Sequence, residues 1–234
     1  MTGVQSLTLG GQAVDLFVPV GPVRFITLYL HSQDQEHLFQ LPGIAEILTQ
    51  YGLACIAPRG GDSWWSGHHP DGEPALRNAV IPWMQAFRPE SSLAVFGLGM
   101  GGQGALRLGF RMPTDFPVVL SIAAIIDYHE LYGQHPAITE MYTSKEQCRQ
   151  DTAPMHLHPS RHPAHLRMVV DCSLEFIQRG HDRLHEKLLA LGVAHEYNDR
   201  YHESSGYEVD MQRVLTVELK WMQDKLELMS RRLV

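Results

Sequence analysis

The chain has 234 residues, 44% of them hydrophobic, which is enough to build the core of a single α/β domain. Its formal net charge of −7, with no basic stripe, argues against a general affinity for nucleic acid or for an anionic membrane surface. The sequence shows no membrane span, secretory signal or disulfide framework, so we expect a cytoplasmic protein with Cys55 and Cys172 as buried thiols.

Two kinds of segment alternate along the chain. Short apolar runs predict strands at residues 13–19, 23–31, 53–57, 93–96, 116–123 and 166–172, and residues 195–201 are predicted as a last strand. Apolar residues at helical spacing predict helices at residues 41–51, 75–87, 180–191 and 208–231. A loop rich in Gly, Trp and His occupies residues 58–74, and residues 127–165 are polar and irregular.

This alternation predicts an α/β fold with a doubly wound, mostly parallel sheet and helices on both faces. We predict one domain over residues 1–234, with 127–165 as a lid or an insertion, because no repeat or linker interrupts the pattern. The last helix is predicted to pack on the core through one stripe of side chains, formed by Met211, Val214, Leu215, Leu219, Met222 and Leu226.

The segment 92–111, SLAVFGLGMGGQGALRLGFR, is the most informative part of the chain. An apolar strand meets a glycine-rich corner, and a helical pattern follows. This is the strand–turn–helix of a nucleophile elbow, in which G-x-S-x-G exposes a serine above the sheet. Gly99 occupies the middle position of that motif here, so the elbow is predicted without its nucleophile.

Several fragments occur together with the elbow in a familiar order. They are PRGGDSWWS at 58–66, IPWMQAF at 81–87, FGLGMGGQGALRLGFRMPTDF at 96–116 and LHEKLLALGVAHEY at 184–197. With them the chain resembles the esterase D and antigen-85-like branch of the α/β-hydrolases over roughly residues 23–222. The resemblance implies the α/β-hydrolase fold. It also implies hydrolysis of acyl esters or thioesters, or acyl transfer, through a Ser-His-acid triad.

The resemblance also implies roles for residues at matching positions. The nucleophile position falls on Gly99, and the histidine position falls on His202. The acid position falls within residues 173–176, where Glu175 is the one carboxylate; Asp171 and Asp199 are the alternatives. The order elbow, acid, histidine is the order of the α/β-hydrolases.

The oxyanion hole and the pocket are implied in the same way. The donors of the oxyanion hole are expected to be the backbone N–H groups of Met100 and Ser32. At the turn that contains Ser32 the family usually has His-Gly, and this chain has His31-Ser32. Trp64 and Trp65, with His31, are expected to contact a substrate. The alternative for the two tryptophans is that one packs into the sheet and the other covers the elbow.

Without a hydroxyl at residue 99 no acyl-enzyme forms there, and by analogy kcat falls on the order of 10⁶-fold. The chain is therefore expected to be either a weak hydrolase or a pseudoenzyme that binds or regulates through the same cleft. The absence of the serine side chain is expected to leave space about the size of a water, and direct activation of that water by His202 is an alternative route to turnover. Glycine also relieves backbone strain of about 1–3 kcal/mol at the elbow. The sequence leaves open whether Gly99 is natural or a substitution made to trap a substrate.

Other functions have weaker support. Residues 97–102 also satisfy G-x-G-x-x-G, but no acidic residue ends the following strand as a dinucleotide site requires. The histidines near 156–165 and at 68–69 match no zinc spacing. No serine elsewhere in the chain lies on a strand–helix elbow that could replace the nucleophile. We therefore predict no metal and no cofactor, a small acyl ester as ligand, and no nucleic-acid or membrane partner; a homo-oligomer is left open.

Overall fold

The computed structural model describes residues 3–33, 38–89, 91–170, 172, 174–198 and 211–231. These residues form an eight-stranded sheet with the strand order β1-β2-β4-β3-β5-β6-β7-β8. The first two strands run antiparallel to their neighbours, and every pairing from β4 to β8 is parallel. The predicted α/β fold with a mostly parallel sheet is confirmed.

The secondary structure follows the predicted alternation. The strands are β1 (Gly3–Leu9), β2 (Gln12–Val18), β3 (Phe25–Leu30), β4 (Leu53–Pro58), β5 (Ala94–Leu98), β6 (Val118–Ile122), β7 (His165–Val169) and β8 (Glu196–Asn198). The α-helices are α1 (Ile44–Tyr51), α2 (Glu73–Ala75), α3 (Ile81–Phe87), α4 (Met100–Arg111), α5 (Pro136–Met141), α6 (Lys145–Gln150), α7 (Glu175–Ala190) and α8 (Met211–Arg231). A π-helical segment, Leu76–Val80, joins α2 to α3.

The sequence analysis missed β1, which pairs with β2 along the edge of the sheet. Its side chains alternate between exposed and half-buried, so it lacks the continuous apolar run by which the other strands were recognised. Gly10 and Gly11, both with positive φ, form the turn between the two strands. A Gly-Gly pair between alternating segments is a hairpin signal, and it was present in the sequence.

Each face of the sheet carries its own hydrophobic core. Val95 belongs to the core shared with α3 and α4, and the next residue, Phe96, belongs to the core shared with α1 and α8. The predicted stripe on α8 is buried at Val214, Leu215, Leu219, Met222 and Leu226, which confirms its packing role. The three cysteines are buried and free, as expected for Cys55 and Cys172.

The segment 127–165 is less irregular than predicted. It holds α5, α6 and two 3₁₀ turns, Tyr128–Leu131 and Ala153–His156. Buried side chains, among them Tyr128 and Ile138, attach it to the core on the α4 side of the sheet. No helix within the described ranges is both long and apolar enough to cross a membrane.

Candidate active site at the glycine elbow

Gly99 is the single residue between β5 and α4, and it makes the sharp turn of the elbow. Its backbone has φ 54° and ψ −113°, a conformation that L side chains rarely adopt. The Gly99 N–H donates to the carbonyl of Ile122 at 2.9 Å, and its own carbonyl accepts from the N–H of Ile125 at 3.1 Å. Glycine adopts this backbone conformation without the strain that another residue would carry, and the function of the turn as a nucleophile elbow stays a prediction.

The other elbow glycines are required by close packing of the helix on the strands. A Cβ at Gly101 would lie well under 3.0 Å from the carbonyl oxygen of Leu30. A Cβ at Gly97 would meet the backbone of Gly101, and one at Gly102 would lie 2.8 Å from the carbonyl oxygen of Ile122. These obstacles are backbone atoms, which cannot rotate away. The close packing of the elbow therefore requires glycine at residues 97, 101 and 102, whichever side chain is present at residue 99.

The side chain of Ser32 fills the space beside Gly99. A Cβ on Gly99 would lie 3.2 Å from the Ser32 Cβ and closer than 3.0 Å to the Ser32 Oγ. Ser32 is buried, with 3% of its surface exposed. Ser32, from the turn after β3, therefore occupies the position of a residue-99 Cβ, and the space for a water stays a prediction.

The two expected oxyanion donors lie on either side of this contact. Met100 is the first residue of α4, where a backbone N–H has no intrahelical acceptor and the helix dipole is positive. Ser32 follows β3 and touches the position of a residue-99 side chain. The structure thus brings Gly99, Met100 and Ser32 together, as the resemblance implied. Their function as an oxyanion hole stays a prediction.

His31 is fixed by two hydrogen bonds in the same turn. Its Nε2 accepts from the N–H of Gly60 at 3.0 Å, so the ring proton is on Nδ1, which donates to the carbonyl of Ser32 at 2.8 Å. The ring packs edge-on against Trp65, with centroids 5.0 Å apart. These bonds make His31 an orienting group for the turn that carries Ser32. Substrate contact by His31 stays a prediction.

Trp64 and Trp65 lie in the protein interior, and both have positive φ, which is uncommon for bulky residues. The Trp65 indole N–H donates to the carbonyl of His31 at 3.0 Å, and its Cβ occupies the space above Gly104 of α4. Trp64 stacks on Tyr128 with centroids 5.4 Å apart. Both side chains are buried, and a role of either in a substrate pocket stays a prediction.

The acid and base positions are less well placed. Glu175 is the first residue of α7, which begins five residues earlier than the predicted helix. Its side chain is 82% exposed and lies 3.7 Å from Arg179, its partner one turn along the helix. The predicted base His202 and the alternative acids Asp171 and Asp199 lie outside the described residues. The structure therefore describes the nucleophile side of the predicted triad and not its base.

A buried ion network, not predicted from the sequence, links α4 to the segment 127–165. The guanidinium of Arg107, 1% exposed, lies 2.8 Å from Glu73 and 2.6 Å from Asp151. Tyr142 donates to Asp151 at 2.7 Å, and Arg111 lies 2.9 Å from Glu73. The one sequence signal was an arginine within the apolar pattern of the elbow helix.

Opposing effects act on the Asp151 carboxyl. Burial tends to raise its pKa. A hydrogen bond from His156, the charge of Arg107 and the hydroxyl of Tyr142 outweigh burial and hold the pKa well below its usual value. Asp151 is therefore ionised at neutral pH and anchors the insertion through charged hydrogen bonds. Among the described side chains, no three His, Cys, Asp or Glu residues are grouped so as to hold a metal ion.

Comparison with known proteins places this elbow in a family. A family described as "Putative esterase" matches residues 64–211, more than half of the chain. No protein of curated function matches the sequence significantly.

Solved structures share the fold at low sequence identity. FphF, a fluorophosphonate-binding serine hydrolase of Staphylococcus aureus, is 14% identical with a TM-score of 0.72, covering 94% of this chain and 99% of its own. An S-formylglutathione hydrolase from Agrobacterium tumefaciens is 16% identical with a TM-score of 0.72, covering 95% and 94%. MPT51 (FbpC1) of Mycobacterium tuberculosis is 13% identical with a TM-score of 0.71, covering 97% and 100%. With its α/β-hydrolase fold and glycine elbow, this chain belongs to the putative esterase family.

Proposed function

We propose that this chain binds a small carboxylic ester or thioester beside Gly99 and hydrolyses it weakly or not at all through the elbow. The observation that carries the proposal is the intact elbow backbone, φ 54° at Gly99, with no side chain to attack a carbonyl. The substrate class is taken from the family and from proteins of the same fold, whose names include an S-formylglutathione hydrolase and a ferulic acid esterase. A cytoplasmic location is part of the same proposal.

The expected rate follows from what the elbow lacks and what it retains. A serine nucleophile removed from a triad lowers kcat on the order of 10⁶-fold, while oxyanion donors and binding still leave about 10³-fold acceleration over water. In this proposal the backbone N–H groups of Met100 and Ser32 supply that remainder. His202 is the proposed base, with Glu175, Asp171 or Asp199 as its acid.

The test is to restore the family arrangement and measure hydrolysis of p-nitrophenyl acetate. In Gly99→Ser alone the new Cβ would lie 3.2 Å from the Ser32 Cβ, so the Ser32 side chain would have to shift. The double variant Ser32→Gly/Gly99→Ser removes that obstacle and restores both the His-Gly turn and G-x-S-x-G. Ser32→Gly alone is the matched control, since it has the same turn without the elbow hydroxyl.

We expect the double variant to exceed the wild-type rate by about 10³-fold or more, because only the nucleophile is missing from the elbow. The single variant should gain nothing. If the double variant is folded and remains as slow as the wild type, the base or the oxyanion hole is also lost and the hydrolase proposal is wrong.

The second candidate function is ligand binding or regulation without turnover. Gly99 also favours this binding function, because a site without a nucleophile releases its ligand unchanged. Titration calorimetry with a short-chain carboxylate, the product of the proposed reaction, distinguishes the two. Binding by the wild type with no product formed from the matching ester supports the binding function, whereas product formation supports the hydrolase.

A further inference from the structure

The position of the Ser32 hydroxyl adds to the proposed function. The elbow has lost a hydroxyl at residue 99, and the turn after β3 carries one where the resembled family usually has glycine. The structure shows that these two positions are in direct contact, because the Ser32 Oγ lies closer than 3.0 Å to where a Cβ on Gly99 would be. Had glycine stood at both positions, the elbow would contain no hydroxyl.

We propose that Ser32 is the acylation site of this protein, with its Oγ in the place of the elbow serine. The inference rests on the proposed function, because it requires a small activated acyl ester at the elbow. The ligand class is thus a carboxylic ester or thioester with a good leaving group.

The environment of the hydroxyl suits a nucleophile. Within the described part of the chain no residue forms a hydrogen bond with the Ser32 Oγ, so none of those residues has to be displaced before it attacks. The same turn is held rigidly by His31, whose Nδ1–H donates to the Ser32 carbonyl at 2.8 Å. The hydroxyl also lies beside the first turn of α4, where the positive end of the helix dipole favours a developing negative charge.

The donors for the oxyanion remain in place when the nucleophile moves. In serine proteases the nucleophile's own backbone N–H is one of the two oxyanion donors. Here the N–H of Ser32 takes that role, and the N–H of Met100 is the second donor. The inference therefore uses the same two backbone donors as the proposed function.

The step is an ordinary acyl transfer. The Ser32 Oγ–H bond breaks, an Oγ–C bond to the acyl carbonyl forms, and the C–O or C–S bond to the leaving group breaks. The proton ends on the released alcohol or thiol. Water then cleaves the new ester, which returns the hydroxyl and releases the acid. No oxidant, metal or second substrate besides water enters the balance.

An alkyl fluorophosphonate tests the proposal, because it reacts with a nucleophilic serine by forming an Oγ–P bond and releasing fluoride, and the adduct is stable. Intact-protein mass spectrometry shows whether an adduct forms, and peptide mapping shows where. The variants are Ser32→Ala and Ser121→Ala. Ser121 is the matched control, since it is equally buried but its hydroxyl donates to the carbonyl of Gly102 at 3.2 Å.

We expect one adduct, on Ser32, in the wild type and in Ser121→Ala, and none in Ser32→Ala at unchanged thermal stability. Ser32→Cys should instead react with iodoacetamide faster than the buried native cysteines. An adduct that persists in Ser32→Ala, or that maps elsewhere, overturns the inference.

The two proposals fail in different ways. If the wild type forms no adduct while Ser32→Gly/Gly99→Ser is labelled at residue 99, the Ser32 inference is wrong and the proposed function stands. If neither protein is labelled although both are folded, the inference and the hydrolase proposal are both wrong.

Discussion

Replacing Arg107 by methionine should be among the most destabilising single changes in this protein. The guanidinium is 1% exposed and lies between two carboxylates, 2.8 Å from Glu73 and 2.6 Å from Asp151. Methionine preserves much of the aliphatic volume and removes the charge. Removal of one partner from a buried ion pair typically costs about 3–5 kcal/mol, because the remaining charge is left without compensation.

The remaining contacts place the expected loss at the lower end of that range. Glu73 keeps Arg111 at 2.9 Å, and Asp151 keeps the hydroxyl of Tyr142 at 2.7 Å. We therefore expect Arg107→Met to lower the free energy of unfolding by about 3 kcal/mol at pH 7. Since total stabilities are about 5–15 kcal/mol, this loss is large enough to shift a urea unfolding curve clearly.

The assay is urea unfolding followed by circular dichroism. Arg179→Met is the control, because the pair of Arg179 with Glu175 is exposed and should contribute less than about 1 kcal/mol. The pKa of Asp151 is depressed in the folded protein, so its stabilising effect is present at neutral pH and is lost as the pH falls below about 4. The difference between Arg107→Met and wild type should shrink over the same range. A loss at pH 7 no larger than that of Arg179→Met would refute the reasoning.

Three further predictions concern the core and the elbow. Burial lowers the pKa of His181 to about 4, so the unfolded chain binds more protons than the folded protein between pH 6.5 and 4. The free energy of unfolding should therefore fall by about 3 kcal/mol as the pH drops through that window. His181→Leu should remove this decrease from a pH series of urea unfolding curves. Gly101→Ala places a Cβ against the carbonyl of Leu30 and should abolish soluble folded protein, as judged by expression and circular dichroism. Trp65→Phe removes the indole N–H that donates to the buried carbonyl of His31 and should lower the free energy of unfolding by about 1–3 kcal/mol in urea unfolding.

The sheet was largely predictable because most of its strands are buried on both faces. Strands such as β4 and β6 appear in the sequence as continuous apolar runs, and the structure has every one of their side chains buried. The edge strand β1 has one half-exposed face and no such run, so its only signal was the Gly-Gly turn. The start of α7 was misjudged because its first turn, around Glu175, is solvent-exposed and lacks the apolar spacing of the rest.

The site was predictable in its backbone and not in its side chains. The glycine pattern at residues 97–102 indicated the elbow, since a Cβ at any of these glycines would come too close to neighbouring atoms. The contact between Ser32 and Gly99 depends on how two separate strand ends meet, which no local pattern contains. The pairing of Arg107 with Asp151 likewise joins α4 to the insertion. The positive φ of Trp64 and Trp65 contradicts local preference and is imposed by the packing of the loop.

The ion network has a mechanical consequence, because α4 carries both the elbow and Arg107. Gly99 immediately precedes this helix, and Arg107 lies eight residues further on, about 12 Å along a rigid rod. The carboxylate of Asp151 couples the far end of that rod to the insertion. A displacement of residues 127–165 that preserves this ion pair is therefore expected to shift α4 as well, and with it Gly99 at the start of the helix.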